Sequence, residues 1–327
     1  MASLYLQKKG GKMSKYVIKR FFRSIFTLIA VITVVFLLMR MMPEEGYFGE
    51  TGTDKLDESQ KEAILTNLGL RDPMHIQLLH FYSDLAKGDL GDSLIYRPNV
   101  SITKIIKQKA PYSIAIGLSS LGFALILGLS MGVVMAKEKN KLADKMGTFY
   151  VVIIRAVPPI VYYLFIQLYL TQIFKLPLLF DIDEPSSWIL PTFAMALGNI
   201  AGYAMWMRRY MVDELNKDYL RLARAKGLSE RKIMVSHVAR NALVPMVQYL
   251  PASILFTIGG SIYIESLFSI PGMGGLLVDA IQLQDNNLVQ ALVLMFSVVG
   301  ILGLFLGDVL MAMLDPRIKL HSSGGGR

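Results

Sequence analysis

The chain has 327 residues, of which 53% are hydrophobic, and its mean hydropathy of +0.45 is too high for an ordinary soluble domain. The net charge of +9 follows a membrane-sided distribution of lysine and arginine, so no nucleic-acid partner is expected. The absence of cysteine excludes disulfides, thiolate catalysis and cysteine-based metal sites. The composition therefore predicts a polytopic helical membrane protein surrounded by membrane lipid.

Six apolar segments are near or above the ~20 residues that a helix needs to cross the hydrocarbon core. They lie at residues 20–42, 112–136, 147–174, 188–207, 242–266 and 289–313. The first follows a basic N-terminus but lacks a small-residue cleavage site, so it is predicted to be an uncleaved span. The sequence thus predicts an all-α fold with six transmembrane helices.

Lysine and arginine are concentrated in segments that fall on one side of this six-span arrangement. These segments precede residue 20, connect spans two and three at 137–145, connect spans four and five at 208–241, and follow the last span. The opposite side carries acidic connections such as Asp181-Ile-Asp-Glu184. Because positive connections stay in the cytoplasm, both termini are predicted to be cytoplasmic.

The chain divides into three predicted parts. Residues 1–111 hold the N-terminal tail, the first span and an extracytoplasmic segment at 43–111; residues 112–319 hold the remaining spans; residues 320–327 form a flexible tail. The two histidines at 75 and 80 are five residues apart and do not share a helical face, so no metal site is expected on this chain.

The extracytoplasmic segment contains helix signals of its own. Asp57 is predicted to cap a helix that runs to Asn67 and is ended by Gly69. Asp72-Pro73 is predicted to begin a second helix, with Asp72 as its N-cap and Gly88 at its end. Val100 to Lys109 places three isoleucines opposite lysines, which is typical of a helix lying at the membrane interface.

Several spans carry residues that break helices or allow close packing. Pro158-Pro159 interrupts span three, and Pro245 and Pro251 interrupt span five. Pairs of glycines four apart allow helix backbones to approach closely: Gly128 with Gly132, Gly198 with Gly202, and Gly303 with Gly307. Ordinary bundle packing explains a single pair, but the accumulated breaks favour a translocation path. The candidates for that path are Pro158, Pro159, Asn199, Pro251 and Glu265.

Few charged residues lie inside the predicted spans, and those that do are near a membrane boundary. They are Arg40, Arg155, Glu265 and Asp308, which can reach the interface or pair with another charge. No series of acidic or histidine residues crosses the membrane, which argues against a proton-coupled carrier.

The connection at 208–241 carries more charge than a simple linker needs. Its central stretch, Tyr219-Leu-Arg-Leu-Ala-Arg-Ala-Lys-Gly-Leu-Ser229, is basic, rich in alanine and able to form a short helix. This pattern indicates a surface on which another protein binds. No phosphate-binding loop of the G-x-x-x-x-G-K-[ST] type occurs in the chain, so any ATP and Mg²⁺ must be held by a partner.

Within that stretch, Leu222-Ala-Arg-Ala-Lys-Gly227 resembles the E-A-A-x-x-x-G motif of binding-protein-dependent ABC permeases. Ala223 and Gly227 occupy the positions of the second motif alanine and of the glycine, while Arg221 stands where the general motif has glutamate. Arg240-Asn-Ala-Leu-Val-Pro245 is similar to the continuation found in oligopeptide, dipeptide and nickel permeases. Three further blocks match that subfamily in order: Leu68–Pro73 with Gly88–Ser93, Glu265–Gly274, and Asp315-Pro-Arg317.

The resemblance, which covers residues 14–319, implies a type I importer permease of the B type in a bacterial inner membrane. It implies a five-helix core preceded by an extra N-terminal helix, and no enzyme activity on this chain. The implied partners are a second permease subunit, two ABC ATPase subunits that carry the nucleotide, an external substrate-binding protein and a peptide substrate. The residues implied to couple to the ATPases are Tyr219, Arg221, Ala223, Arg224, Lys226, Gly227 and Ser229.

Other functions stay open at this point. The same family includes importers of nickel, glycans and haem, and the sequence does not choose among these substrates. A secondary transporter or channel without an ATPase is a further alternative, as is a membrane-anchored sensor that binds a ligand with its outer segment.

Overall fold

The computed structural model describes residues 2–48 and 56–314, and these are almost entirely helical. Four helices are long and apolar enough to cross a membrane: Tyr16–Arg40, Ile102–Lys137, Pro185–Leu215 and Asn286–Met313. Two bent pairs raise the count to six if each pair is one span: Leu142–Ala156 with Pro159–Phe174, and Ile262–Phe268 with Met273–Gln282. The predicted all-α, polytopic fold is confirmed.

The helices are numbered here in chain order. The α-helices are α1 Ala2–Arg40, α2 Glu58–Asn67, α3 Met74–Ala86, α4 Ile102–Lys137, α5 Leu142–Ala156, α6 Pro159–Phe165, α7 Thr171–Phe174, α8 Ile189–Leu215, α9 Tyr219–Ala225, α10 Glu230–Lys232, α11 Arg240–Val247, α12 Leu250–Phe256, α13 Ile262–Phe268, α14 Met273–Gln282 and α15 Asn286–Leu314. Two π-helical stretches, Ile166–Leu170 and Ile233–Ala239, join neighbouring α-helices. The terminal Asp315-Pro-Arg317 block and the tail at 320–327 lie outside the described residues.

The break predicted at Pro158-Pro159 is confirmed. Helix α5 ends before Val157, which is extended, and α6 begins with Pro159 in its first turn after a 107° bend. Proline disfavours helical backbone in the residue before it and has no amide hydrogen to donate. Two adjacent prolines therefore end one helix and start another.

The segment predicted as one span at residues 242–266 is not one continuous helix. Here α11 contains Pro245 and α12 contains Pro251, and the chain then turns at Gly260, whose φ is +66°. A new helix, α13, begins at Ile262 and bends by 85° into α14. The bent pair Ile262–Phe268 and Met273–Gln282 completes six spans if it is counted as one span. Hydropathy averaged over a window hides the break, because Gly259-Gly260-Ser261 is a short stretch between two apolar segments.

The described residues form two compact units. The first unit combines Ile116–Leu255 with the part of α1 up to Ser24 and the part of α15 from Leu302. Glycines bring its helices together, since a Cβ on Gly128 would lie 2.9 Å from the carbonyl oxygen of Ile200 and one on Gly132 would overlap Met207. Close helix contact at this pair is thus confirmed.

The other glycine pairs differ from each other. Gly303 packs against Ala252 and Gly307 against the carbonyl of Gln248, as the small-residue spacing predicts. A Cβ on Gly198 would lie 3.4 Å from the hydroxyl of Tyr162, and one on Gly202 would have no atom within 4 Å, so this pair brings no helix backbone close in the described part of the chain. Spacing shows that an approach is possible, but only the fold decides which helix face meets a neighbour.

The four charged residues predicted inside the spans have different surroundings, and two of them, Asp308 and Arg40, contact residues of α1 or the segment after it. Asp308 forms an ion pair with Arg20 in the first unit. Arg40 donates a hydrogen bond of 2.9 Å to the hydroxyl of Tyr47. Arg155 is exposed near the end of α5. The fourth, Glu265, is buried in the second unit.

The second unit consists of Ile25–Ala115 and Phe256–Ile301. Its largest core cluster joins residues from α1, α4, α14 and α15: Met39, Ile102, Ile105, Met273, Leu276, Ala280, Leu288, Val289, Ala291 and Leu292. The interfacial helix predicted at Val100 to Lys109 is wrong, because Val100–Ser101 is a strand and the residues from Ile102 are the start of the continuous helix α4. Ile102 and Ile105 are fully buried in the protein core, and only the lysine face is solvent-exposed.

The helices of the segment predicted to be extracytoplasmic are largely as expected from its sequence. Asp57 caps α2 by accepting a hydrogen bond from the backbone of Gln60, whose side chain bonds back to Asp57. Gly69 and Gly88, both with positive φ, follow the ends of α2 and α3. The N-cap predicted at Asp72 is wrong, since Pro73 occupies that position and the carbonyl of Asp72 accepts from Gln77 instead.

Asp285 organises the chain between α3 and α4, and sequence patterns did not identify it. Its carboxylate accepts from the hydroxyl of Ser93 at 2.6 Å and from the backbone amides of Leu94, Ile95 and Tyr96 at 3.0 to 3.1 Å. Its other oxygen caps α15 through Leu288. Next to it, Asp92–Ser93 and Val100–Ser101 pair as a short antiparallel ribbon.

Candidate functional site

The connection between α8 and α11 carries an exposed helix, α9, that is held to the first unit by two residues. Leu220 and Ala223 are three apart on the helix and are nearly fully buried. They pack in one cluster with residues of α4, α8, the second π-helical stretch and α11: Ala136, Met207, Met211, Ile233, Val238, Ala242 and Met246. The predicted short helix is confirmed, and apolar contacts fix the face that it presents.

A glycine at the position expected from sequence ends α9. Gly227 has a φ of +75°, and its amide donates to the carbonyl of Arg224 at 2.9 Å. The next amide, from Leu228, donates to the carbonyl of Ala223 at 3.3 Å. These two bonds form a Schellman motif, which uses glycine because a Cβ is disfavoured at positive φ.

The first residue of α9 is tied to both neighbouring helices by side chains. The hydroxyl of Tyr219 donates to the carboxylate of Glu214 at 2.7 Å, and Asn241 donates to that hydroxyl at 3.0 Å. Asn241 also donates to Glu214 at 3.2 Å. Partial burial and the contact with Glu214 raise the pKa of Tyr219 to about 12, so the hydroxyl stays protonated and keeps donating.

Glu214 and Asn241 were not among the residues that the sequence singled out. Asn241 does lie in the Arg240–Pro245 block that carries the family resemblance. No motif pointed to Glu214, because its contacts come from residues five and 27 positions away along the chain.

The solvent-facing side of α9 is cationic around an exposed leucine. Leu222 is 58% exposed, and Arg221, Lys226 and Gly227 are exposed beside it. Lys226 has no ion pair with another residue in the described part of the chain, whereas Arg224 bridges the turn to Glu230 at 2.7 Å. Arg224 lowers the pKa of Glu230, which keeps both groups charged at neutral pH. This face can accept acidic groups and an apolar contact from another protein.

The remaining predicted coupling residues take different positions. Ser229 is exposed and caps α10 by accepting from the amide of Lys232. Ala223 faces the core of its own chain. Its small side chain lets α9 pack closely on the first unit, and it is not part of the exposed face of α9. Contact of any of these residues with an ATPase stays a prediction.

The residues predicted to line a path are not all in one unit. Pro158, Pro159 and Asn199 are exposed in the first unit, where Tyr162 of α6 approaches Gly198 of α8. Pro251, in α12 of the same unit, is buried. Glu265 belongs to the second unit. The lining of a path by these residues stays a prediction.

Glu265 lies in a cradle made of backbone and glycine. Its carboxylate accepts from the hydroxyl of Ser113 at 2.6 Å and from the amides of Gly274 and Gly275 at 2.6 and 3.0 Å. A Cβ on Gly260 or Gly272 would overlap this carboxylate. The Glu265–Gly274 block therefore has a physical basis: the glycines make room for a buried carboxylate that fixes the bend between α13 and α14.

Comparison with known proteins gives matches along nearly the whole chain. Residues 128–320 match the family described as "Binding-protein-dependent transport system inner membrane component", and residues 13–112 match the family of its N-terminal region. Among curated relatives, the dipeptide transport system permease protein DppB of Bacillus subtilis is 34% identical over 95% of this chain and 100% of that protein.

Two other relatives are named for different substrates. The glutathione transport system permease protein GsiC of Escherichia coli is 33% identical over 94% of this chain and 99% of that protein. The oligopeptide transport system permease protein AppB of Bacillus subtilis is 30% identical over 94% of this chain and 100% of that protein. The chain thus belongs to the inner membrane components of binding-protein-dependent transport systems, the permeases of ABC importers.

Proposed function

We propose that this permease forms half of a translocation path for peptides, together with a second permease subunit, and that two ATPase subunits drive it through α9. The observation that carries the proposal is the exposed cationic face of α9, which is anchored to the helices on both sides of it. The chain itself has no phosphate-binding loop, so ATP and Mg²⁺ belong to the partners.

The anchoring of α9 explains how force is transmitted. Leu220 and Ala223 bury one face against α8 and α11, and Tyr219 bonds to both of these helices. A partner that moves α9 therefore moves the helix ends to which it is fixed. ATP-driven closure of two ATPases would draw the α9 helices of the two permeases together and favour the outward-open state over the inward-open state.

The proposed orientation has both termini and residues 208–241 in the cytoplasm and residues 43–111 outside. The asymmetry of lysine and arginine supports it. Because the chain lacks cysteine, single cysteines at Ser83 and Ser229, both exposed, can be labelled with an impermeant thiol reagent in intact cells. Labelling at position 83 alone is expected, and labelling at 229 alone would contradict the orientation.

Peptide is the proposed substrate class because the relatives named above transport dipeptides, oligopeptides or glutathione, which is itself a short peptide. Selectivity among peptides is assigned mainly to the external binding protein. The exposed amide of Asn199 suits a polar path or a subunit interface better than lipid.

The test is reconstitution of the permease with its second permease subunit, its ATPases and its binding protein in vesicles. Di- and oligopeptides are expected to stimulate ATP hydrolysis and to be taken up, and the purified permease alone is expected not to hydrolyse ATP. Stimulation by nickel, a glycan or haem but by no peptide would reassign the substrate. Uptake that continues without any ATPase subunit would favour a secondary transporter or channel.

A further inference from the structure

A cavity of about 410 Å³ opens at the start of α5, far along the chain from α9, and the transport mechanism above does not use it. It is lined by Asn140, Asp144, Lys145, Thr148, Phe149, Val152 and Arg208. All of these residues belong to the first unit. The cavity combines a polar, cationic end with an apolar wall, and each part has a separate structural origin.

The polar end is built on a buried ion pair. Asp144 is 4% exposed at its side chain, and its two oxygens accept from Nε and Nη2 of Arg208. The amide of Asn140 donates to the same carboxylate at 2.8 Å. Asp144 is therefore satisfied and neutralised, while Nη1 of Arg208 has no hydrogen-bond partner among the residues that the structure describes.

Lys145 adds a positive charge next to this neutral pair. It is exposed, lines the cavity and makes no ion pair within the described part of the chain. The surrounding segments, 137–145 and 208–209, contain six lysines and arginines against two acids. The cavity thus offers a cation and a free guanidinium donor in a positive surface, which suits a phosphate group.

The apolar wall follows from helical spacing. Lys145, Thr148, Phe149 and Val152 are three, four and seven residues apart, so they share one face of α5. Phe149 and Val152 are 68% and 57% exposed, and α5 belongs to a candidate membrane span. At 1.5 Å per residue, Val152 lies about 10 Å along the helix from Lys145. The cation is thus at one end of an apolar face that a fatty acyl chain can cover.

We propose that this cavity binds an anionic phospholipid, with its phosphate between Lys145 and Arg208 and an acyl chain along Phe149 and Val152. A free phosphate ion would satisfy the polar end but would leave both apolar side chains uncovered. A basic pocket between helices at a membrane boundary is the setting in which lipid headgroups bind. The occupant would fix the start of α5 relative to the end of α8, just before the connection that carries α9.

The experiment uses the reconstituted complex with Val152→Cys as the only cysteine of this subunit, labelled with an environment-sensitive fluorophore before assembly. The probes are phosphatidylglycerol and phosphatidylcholine with the same brominated acyl chains, which quench the fluorophore on contact. Phosphatidylglycerol is expected to quench at a several-fold lower mole fraction than phosphatidylcholine. Adding Lys145→Gln should weaken the preference for phosphatidylglycerol over phosphatidylcholine about fivefold, because one cation near a membrane surface contributes about 1 kcal/mol.

The matched control is Lys137→Gln, which removes the same charge from the same connection at a residue that does not line the cavity. The Lys137→Gln variant should leave the preference for phosphatidylglycerol nearly unchanged. Equal quenching by the two lipids, or equal losses in the two variants, would overturn the proposal in favour of general surface charge. Displacement by millimolar inorganic phosphate as complete as displacement by unlabelled phosphatidylglycerol would overturn it in favour of a free phosphate site.

Discussion

The side-chain amide of Asn241 donates a hydrogen bond of 3.0 Å to the hydroxyl of Tyr219, and this contact joins α11 to the first residue of α9. Glu214 at the end of α8 accepts from both groups. Three helices therefore meet at one hydrogen-bonded cluster at the start of α9, the helix that we propose the ATPases contact. In the proposed mechanism, a partner that moves α9 would act on α8 and α11 through this cluster.

The Tyr219→Phe variant should keep the ring and its packing but lose both hydrogen bonds. We expect substrate-stimulated ATP hydrolysis to fall about fivefold, which corresponds to about 1 kcal/mol of lost coupling. Tyr249→Phe is the matched control, because Tyr249 is exposed and its hydroxyl bonds to no other residue in the described ranges. Equal hydrolysis in the two variants would show that the cluster does not transmit force.

Substitutions of Gly227, the glycine that ends α9, can test whether it is needed for the backbone turn or for contact with a partner. Gly227 has positive φ, but no atom of its own chain lies within 4 Å of the position that a Cβ would occupy. Gly227→Val should lower the local stability of the turn by about 1–2 kcal/mol, because a branched side chain disfavours a backbone with positive φ. Gly227→Asn, which tolerates positive φ, should cost less.

Uptake and copurification of ATPase subunits, at matched membrane expression, distinguish the two roles of Gly227. Retention of both by the Asn variant and loss by the Val variant would assign the glycine to the turn. Loss in both variants would assign it to close approach of an ATPase. Normal uptake by the Val variant would remove α9 from the coupling mechanism.

Two glycines on α4 predict opposite effects of the same substitution. Gly132→Ala should destabilise the permease by about 1–3 kcal/mol, because the added methyl would overlap Met207 and the carbonyl of Ala204. Gly122→Ala, where no atom lies within 4 Å, should be neutral or stabilising. Thermal unfolding of the purified permease in detergent measures both. A lower melting temperature for Gly122→Ala than for Gly132→Ala would contradict the packing of α4 on α8.

The buried carboxylate in the second unit should depend on having two acceptor oxygens. Glu265→Gln turns an amide group toward the backbone donors of Gly274 and Gly275. We therefore expect the free energy of unfolding to fall by about 1–3 kcal/mol. Asp279→Asn is the control, since Asp279 is exposed on α14. Comparable melting temperatures for the two variants would mean that the cradle does not stabilise the bend.

Local signals made part of this structure predictable. The capping residues around α2, the proline break before α6 and the glycine after α9 each act within a few residues, so the sequence is enough to place them.

Features that depend on distant residues were not predictable. Asp285 acts on Ser93 about 190 positions away, and Asn241 acts on Tyr219 through a fold that brings two helix ends together. The isoleucines of early α4 have a pattern suited to a lipid surface, but α14 and α15 cover them. Periodicity identifies an apolar face, but it does not identify what covers that face.

The central claim is that α9 is the surface on which the ATPases act. Leu222 is its most exposed large hydrophobic side chain, and the chain has no other cysteine to interfere with a label. A photoactivatable cross-linker attached at Leu222→Cys should therefore form an adduct with an ATPase subunit in the assembled transporter. The same label at Ser83→Cys, in the outer segment, should form none. Absence of any ATPase adduct at position 222 in a complex that still takes up substrate would contradict the account.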